Sequence, residues 1–322
     1  MRLASYAHNG RDLIGFELEG RLYDLDAALR AAGQPVQYAT MMALIEDGSR
    51  GREAAEAAFR HVQANRDAVA GVPSGEVRWH PPVRKPYKIC GVALNNSASD
   101  SRKLSVQDHP LFFLKPASCL VGHNEPIRVR DYYGSVHPEP ELAVIISRTC
   151  KDVSEEDALD YVFGYSIMND MTGNAMREQD MVHYYALYAS KDDPNVLEKR
   201  EQHLSYAARY KGSDTFGPMG PYIVTRDDVP DPHVLDVRAW HKDELIAEDS
   251  TAYYTYSVPK VISFISRFHT FWPGDVISMG TAFRPKEGSK RSLHLANITA
   301  LGGPLSVEIS GLGRLENPVV RE

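Results

Sequence analysis

Several things that would settle the matter quickly are scarce in this sequence. It holds only three cysteines in 322 residues, Cys90, Cys119 and Cys150. They are too few and too far apart for a disulfide framework or a zinc cluster, so each reads as a small buried residue. No window approaches the roughly 18 apolar residues of a membrane span. The start, Met1-Arg2-Leu3-Ala4-Ser5-Tyr6, lacks the apolar stretch of a signal peptide. No basic run stands out. Lys and Arg number 36 against 43 Asp and Glu, a net charge of −7, so neither nucleic acid nor an anionic membrane is an expected partner. There is no G-x-G-x-x-G, no P-loop, no G-x-S-x-G and no H-E-x-x-H, which removes the commonest nucleotide, serine-hydrolase and zinc-protease motifs. A soluble cytoplasmic protein is the default expectation.

The segments that are present read as short strands with few helices. Leu13–Leu18 and Arg21–Leu25 flank Glu19-Gly20, a hairpin turn. Helices are expected at 26–33, 40–48 and 51–70. Prolines 73, 81, 82 and 86 then mark a boundary. This divides the chain into a small α/β unit, residues 1–82, and a larger β-rich unit, residues 83–322. Strands follow at 87–94, 111–116, 136–148 and 163–170, and a helix is expected to start at Ser154. Residues 174–210 are polar and rich in His and Tyr; they read as two helices broken at Pro194, a candidate lid. Val258–Phe268 has helical apolar spacing. Many short strands with few helices point to an α+β, β-rich fold, not a doubly wound sheet.

Chemistry concentrates at Val136-His137-Pro138-Glu139-Pro140-Glu141, which opens the apolar run Leu142–Ile146. Side chains alternate along a strand, so residues 137, 139 and 141 share a face. Ionised carboxylates enter a core only when paired or bound to a cation. Two readings are open on these residues: a metal site on a strand, or a solvated strand end stiffened by two prolines.

Further stretches resemble a known family. Glu139-Pro140-Glu141-Leu142-Ala143-Val144-Ile145-Ile146, Gly164-Tyr165-Ser166-Ile167-Met168-Asn169-Asp170, Lys211-Gly212-Ser213-Asp214-Thr215-Phe216-Gly217-Pro218-Met219-Gly220-Pro221 and Pro273-Gly274-Asp275-Val276-Ile277-Ser278-Met279-Gly280-Thr281 occur in that order. Together they resemble the fumarylacetoacetate hydrolase family from about residue 87 onward. The resemblance implies a mixed β-sandwich or β-roll catalytic domain behind a small leading domain. It implies Mg²⁺, or Mn²⁺ or Ca²⁺, on Glu139, Glu141 and Asp170, with Lys211 holding an oxygen that becomes negative. Thr281, Asn174 and Arg177 are implied as substrate-binding residues. A homodimer acting on a small carboxylate or diketone substrate is the implied assembly.

The departures are as informative. The family's water-activating histidine and glutamate follow the first strand; Ser99 and Arg102 stand in their places. Serine without a base is a poor proton acceptor. Candidate replacements are His137, on the ligand face, or His183 and His203 of the 174–210 segment, while Ser99 itself remains a candidate catalytic position. The leading expectation is a metal-dependent hydrolase that cleaves a C–C bond of a 1,3-dicarbonyl or acylpyruvate substrate, in aromatic catabolism. The alternatives are a 2-oxo acid decarboxylase, isomerase or hydratase on the same platform, or a silent binding protein.

Overall fold

The strand Pro140–Ile146 is apolar, rich in β-branched side chains and buried at every residue. In the computed structural model, which describes residues 1–322, it lies between the antiparallel strands Val162–Asn169 and Val276–Ser278. Its side chains alternate between two cores. Leu142, Val144 and Ile146 enter one of 32 residues, and Ala143 and Ile145 enter another of 26. Both faces are covered, and this explains why the run is continuously apolar.

The full sheet has twelve strands, ten along one path and two, Arg78–Trp79 and Leu120–Val121, paired off it. Its path runs from Val72–Pro73 through Arg21–Asp24, Arg11–Leu18, Arg2–His8 and Gly217–Thr225. It continues through Val162–Asn169, Pro140–Ile146, Val276–Ser278 and Ile89–Ala93 to Leu111–Lys115. Helices Leu25–Ala31, Met41–Glu46 and Gly48–Ala64 cover one face. Helix Val258–Ser266 and a four-stranded antiparallel sheet, Glu244–Ser250, Asp236–His241, Leu305–Ile309 and Gly313–Asn317, cover the other. The architecture is the β-rich α+β sandwich expected. The leading residues join it directly: Leu3 pairs with Ile223 across the sheet, and Phe16, Leu25 and Leu29 share a core with Ile145 and Phe163. Glu19 and Gly20 form the two-residue turn with positive φ at both positions, +52° and +79°.

Three expectations are corrected. Residues 174–210 are not two helices. A short helix, Asn174–Gln179, leads into a hairpin, Val182–Ala189 with Leu197–Leu204, and then a second short helix, Ala207–Gly212. Val182-His183-Tyr184-Tyr185 is a β-branched and aromatic run that favours a strand. The hairpin pairs with no other sheet and is exposed along most of its length. With no buried face, it carries no apolar alternation to read. Second, Ser154 does not start an α-helix. Its Oγ accepts from the Asp157 N–H at 3.2 Å, as a cap does, but only a turn and the 3₁₀ segment Ala158–Tyr161 follow. Third, the helix placed at 51–70 runs instead from Gly48 to Ala64. No helix is long and apolar enough to cross a membrane.

Candidate metal centre

Strand register builds the site. Pro140 pairs with Asn169, so Glu139 and Glu141 flank the point where the neighbouring strand ends and Asp170 begins. The Asp170 N–H donates to the Glu139 carbonyl at 2.8 Å, and the Glu139 N–H donates to Asn169 Oδ1 at 2.8 Å. Glu139, Glu141 and Asp170 each bring an oxygen within 4.8 Å of the others. Glu141 and Asp170 are buried, and Glu139 borders an open cleft.

Three carboxylates this close need neutralising charge. Lys211 Nζ donates to Glu139 Oε2 at 2.7 Å and Asp170 Oδ2 at 2.5 Å. Lys115 Nζ, wholly buried, donates to Asp170 Oδ1 and to the carbonyls of Lys211 and Phe216. Burial opposes ionisation of Glu139, but Lys211 and His137 outweigh it and hold the carboxyl well below its ordinary range. Burial likewise opposes the Lys211 ammonium; the charges of Asp170 and Glu139 outweigh it and raise its pKa. Glu141 forms no ion pair with either lysine. Burial, then the Asp170 charge, push its carboxyl up to about 8. It accepts from Ser278 Oγ and from the Gly280 N–H at 3.0 Å. Thr281 Oγ1 lies 2.9 Å from Glu139 Oε2 and 3.3 Å from Glu141 Oε1. The site thus contains one carboxylate more than it has lysines. An all-oxygen donor set with that excess fits a hard divalent cation.

His137 is set apart from the ligand strand. Val136–His137 is a two-residue strand paired with Thr172–Gly173, and Pro138 and Glu139 break the alternation. Its Nε2 still lies 3.1 Å from Glu139 Oε1, and its ring stacks on His294 with centres 4.7 Å apart. His137 Nδ1 is buried without a partner.

Above this floor opens a cleft of about 210 Å³. Phe113, Tyr210 and Phe283 form its walls, and Arg102, Arg177 and His294 its rim. Ser99 also lines it, but the Ser99 hydroxyl donates to the Asn96 carbonyl at 2.6 Å. Asn174 starts the helix that carries Arg177 and does not itself line the cleft. His183 and His203 are cross-strand partners on the exposed hairpin, their rings stacked 4.0 Å apart, and neither reaches the cleft.

Sequence reasoning passed over Lys115, His294 and Asp249. Lys115 had a signal: like Asp170, it is a charge that closes an apolar strand. Asp249 is buried and accepts from Asn96 Nδ2, the Phe283 N–H and the Arg284 N–H at 2.9, 2.6 and 2.8 Å. It ties the turn at 96–102 to the loop at 281–284. Nothing in the local sequence marks His294, which reaches the site only through the fold.

A model of the fumarylacetoacetate hydrolase C-terminal region matches residues 88–320. The chain belongs to the fumarylacetoacetate hydrolase family. Within this family, a maleylpyruvate hydrolase from Sphingobium sp. SYK-6, solved with manganese(II) and pyruvate, is 29% identical. That structure aligns with a TM-score of 0.70 over 100% of this chain and 99% of its own. A fumarylacetoacetate hydrolase from Exiguobacterium antarcticum aligns over the whole of both chains at 26% identity and a TM-score of 0.74. The homoprotocatechuate catabolism bifunctional isomerase/decarboxylase of Escherichia coli is 34% identical over 67% of this chain, which spans only 42% of that protein. The mitochondrial oxaloacetate tautomerase of Xenopus laevis is 29% identical over 95% of this chain and 86% of its own. These relatives are enzymes, and their reactions differ.

Proposed function

We propose that this family member is a divalent-metal-dependent hydrolase that cleaves a C–C bond of an acylpyruvate or 1,3-dicarbonyl substrate in aromatic catabolism. The observation that carries this reading is the carboxylate triad, one cation short, whose Glu139 lines a cleft together with Lys211. Similarity to the maleylpyruvate hydrolase over the whole chain supports the substrate class. Cytoplasmic location, a homodimer and the division into residues 1–82 and 83–322 belong to the same proposal. The exposed Tyr185, Leu187 and Leu197 of the hairpin support association between copies.

When bound, Mg²⁺, Mn²⁺ or Ca²⁺ on Glu139, Glu141 and Asp170 supplies positive charge to the oxygens of a 2-oxo acid end. Lys211 donates to the oxygen that becomes negative as the bond breaks. Thr281 orients Glu139 and meets the substrate, as does Arg177, whose helix begins at Asn174. His294 accepts the proton of the attacking water. The protein packed around its ring, then His137, push its pKa down to about 4, so it is a neutral imidazole near pH 7. His137 holds Glu139, and Ser99 braces the turn that carries Arg102.

A second reading has its own support. No carboxylate besides Glu139 lines the cleft, and Ser99 and Arg102 offer no base. Decarboxylation or keto–enol isomerisation needs no activated water. Turnover in ¹⁸O-labelled water separates the two. Hydrolysis places ¹⁸O in a newly formed carboxylate. Turnover without that label, with CO₂ release or with solvent deuterium at the carbon beside the carbonyl, overturns the hydrolase in favour of the second reading.

A further inference from the structure

The hairpin at 182–204 belongs to none of the hydrophobic cores, and its strands pair only with each other. A lone two-stranded hairpin is marginal in water. Each strand also has a free outer edge, and the two edges differ. Leu197–Leu204 carries Glu198, Lys199, Arg200 and Glu201, charges that blunt an edge against further pairing. Val182–Ala189 contains no Asp, Glu, Lys, Arg or Pro; apart from His183 it is aliphatic and tyrosine, a sequence that favours pairing.

The ladder shows which backbone groups lie on that edge. The Ser190 N–H donates to the Val196 carbonyl at 2.8 Å, and this pair continues the register that sets Tyr188 opposite Glu198. Hydrogen-bonded pairs alternate along an antiparallel ladder, so residues 182, 184, 186 and 188 bond to the facing strand. The N–H and C=O groups of His183, Tyr185, Leu187 and Ala189 therefore point outward, and no other strand meets them. The side chains divide in the same way. Tyr184 and Tyr188 are engaged within the hairpin by Gln202, and the Arg200 guanidinium lies 4.8 Å from the centre of the Tyr188 ring. On the opposite face Tyr185 and Leu187 are exposed.

We propose that Val182–Ala189 pairs antiparallel with the same strand of a second copy about a twofold axis, making one four-stranded sheet. This rests on the homodimer proposed above and names its contact. An identical strand run antiparallel complements this edge by symmetry, and the contact closes at two copies. The charged strands Leu197–Leu204 become the outer edges and stop the sheet from growing. Pairing also sets Tyr185 and Leu187 of both copies side by side on one face.

Sedimentation equilibrium of the wild type, Leu187→Pro and Lys199→Pro tests this. Proline at 187 removes an outward N–H and takes no bond from the hairpin. Lys199 faces Leu187 across the hairpin, so proline there does the same to the other edge and controls for damage to the hairpin itself. Both residues are exposed and outside the cores, so both variants fold. The wild type is a dimer. Leu187→Pro raises its dissociation constant roughly thirty-fold, one hydrogen bond lost on each side of the axis. Lys199→Pro changes it less than about three-fold, since the bonds of the pairing edge remain. A wild-type dimer that Leu187→Pro leaves intact, or that both prolines weaken equally, overturns the edge contact and leaves the homodimer standing. A wild type that stays monomeric overturns both.

Discussion

On the floor of the cleft, charges are buried and bonded to one another. Lys211 lies between Glu139 and Asp170, Lys115 is locked against Asp170, and Ser278 and Gly280 hold Glu141. On the rim, Arg102, Arg177 and His294 are exposed and have no acidic partner. The floor is set in the ends of central strands, where one register fixes every ligand. The rim sits on a 3₁₀ segment, a six-residue helix and a loop. On the function proposed above, charge handling falls to the floor, and choice of substrate and reaction to the rim.

The largest effect should come from the floor. Lys115→Met leaves Asp170 facing Lys211 alone and removes a fully buried partner. We expect about 3–5 kcal/mol of lost stability in the metal-free protein, read from urea denaturation. A loss below 1 kcal/mol would mean that the lysine is not a buried counter-ion. Next, Lys211→Ala should cut kcat by roughly 10²–10³ while the protein stays folded, since it removes a donor to developing negative charge. An unchanged kcat would move that role to another group. A rim substitution, His294→Asn, should cost about 10² in kcat for hydrolysis and leave Mn²⁺ affinity unchanged. If activity survives intact, the base is elsewhere or none is needed.

The smallest effect contrasts a buried imidazole with that rim histidine. His241 is fully buried, and burial pushes its pKa below the ordinary value against the opposing bond to the Gly302 carbonyl. Below about pH 6.5 the unfolded chain takes up a proton that the folded chain excludes. Stability should therefore fall as pH drops through that point, by at most about 1.4 kcal/mol per unit for this residue. His241→Leu should flatten the slope of midpoint against pH. An unchanged slope would place the titration on other groups.

The central strands and the acid pair were legible because burial on both faces leaves an unmistakable apolar run, and carboxylates at its mouth are out of place there. Asp170 was legible for the same reason. The hairpin at 182–204 was not, because it buries neither face and so leaves no periodicity. His294 and Asp249 lie more than a hundred residues from Glu139 and Asn96, the residues whose surroundings they complete. Only the fold brings them close, through the loop at 281–296. Arg102 was visible as a departure from the family pattern. That it shares a cleft with Arg177 appears only in the fold.

The most direct test of the account is equilibrium dialysis against Mn²⁺ with wild type and Asp170→Asn. The substitution leaves buried Lys115 without a counter-ion, so circular dichroism must show that the variant is folded before its metal binding is read. We predict one tightly bound Mn²⁺ per wild-type chain and none in the variant at the same free metal concentration. Equal stoichiometry and affinity in the two proteins would contradict the assignment of Glu139, Glu141 and Asp170 as the metal centre.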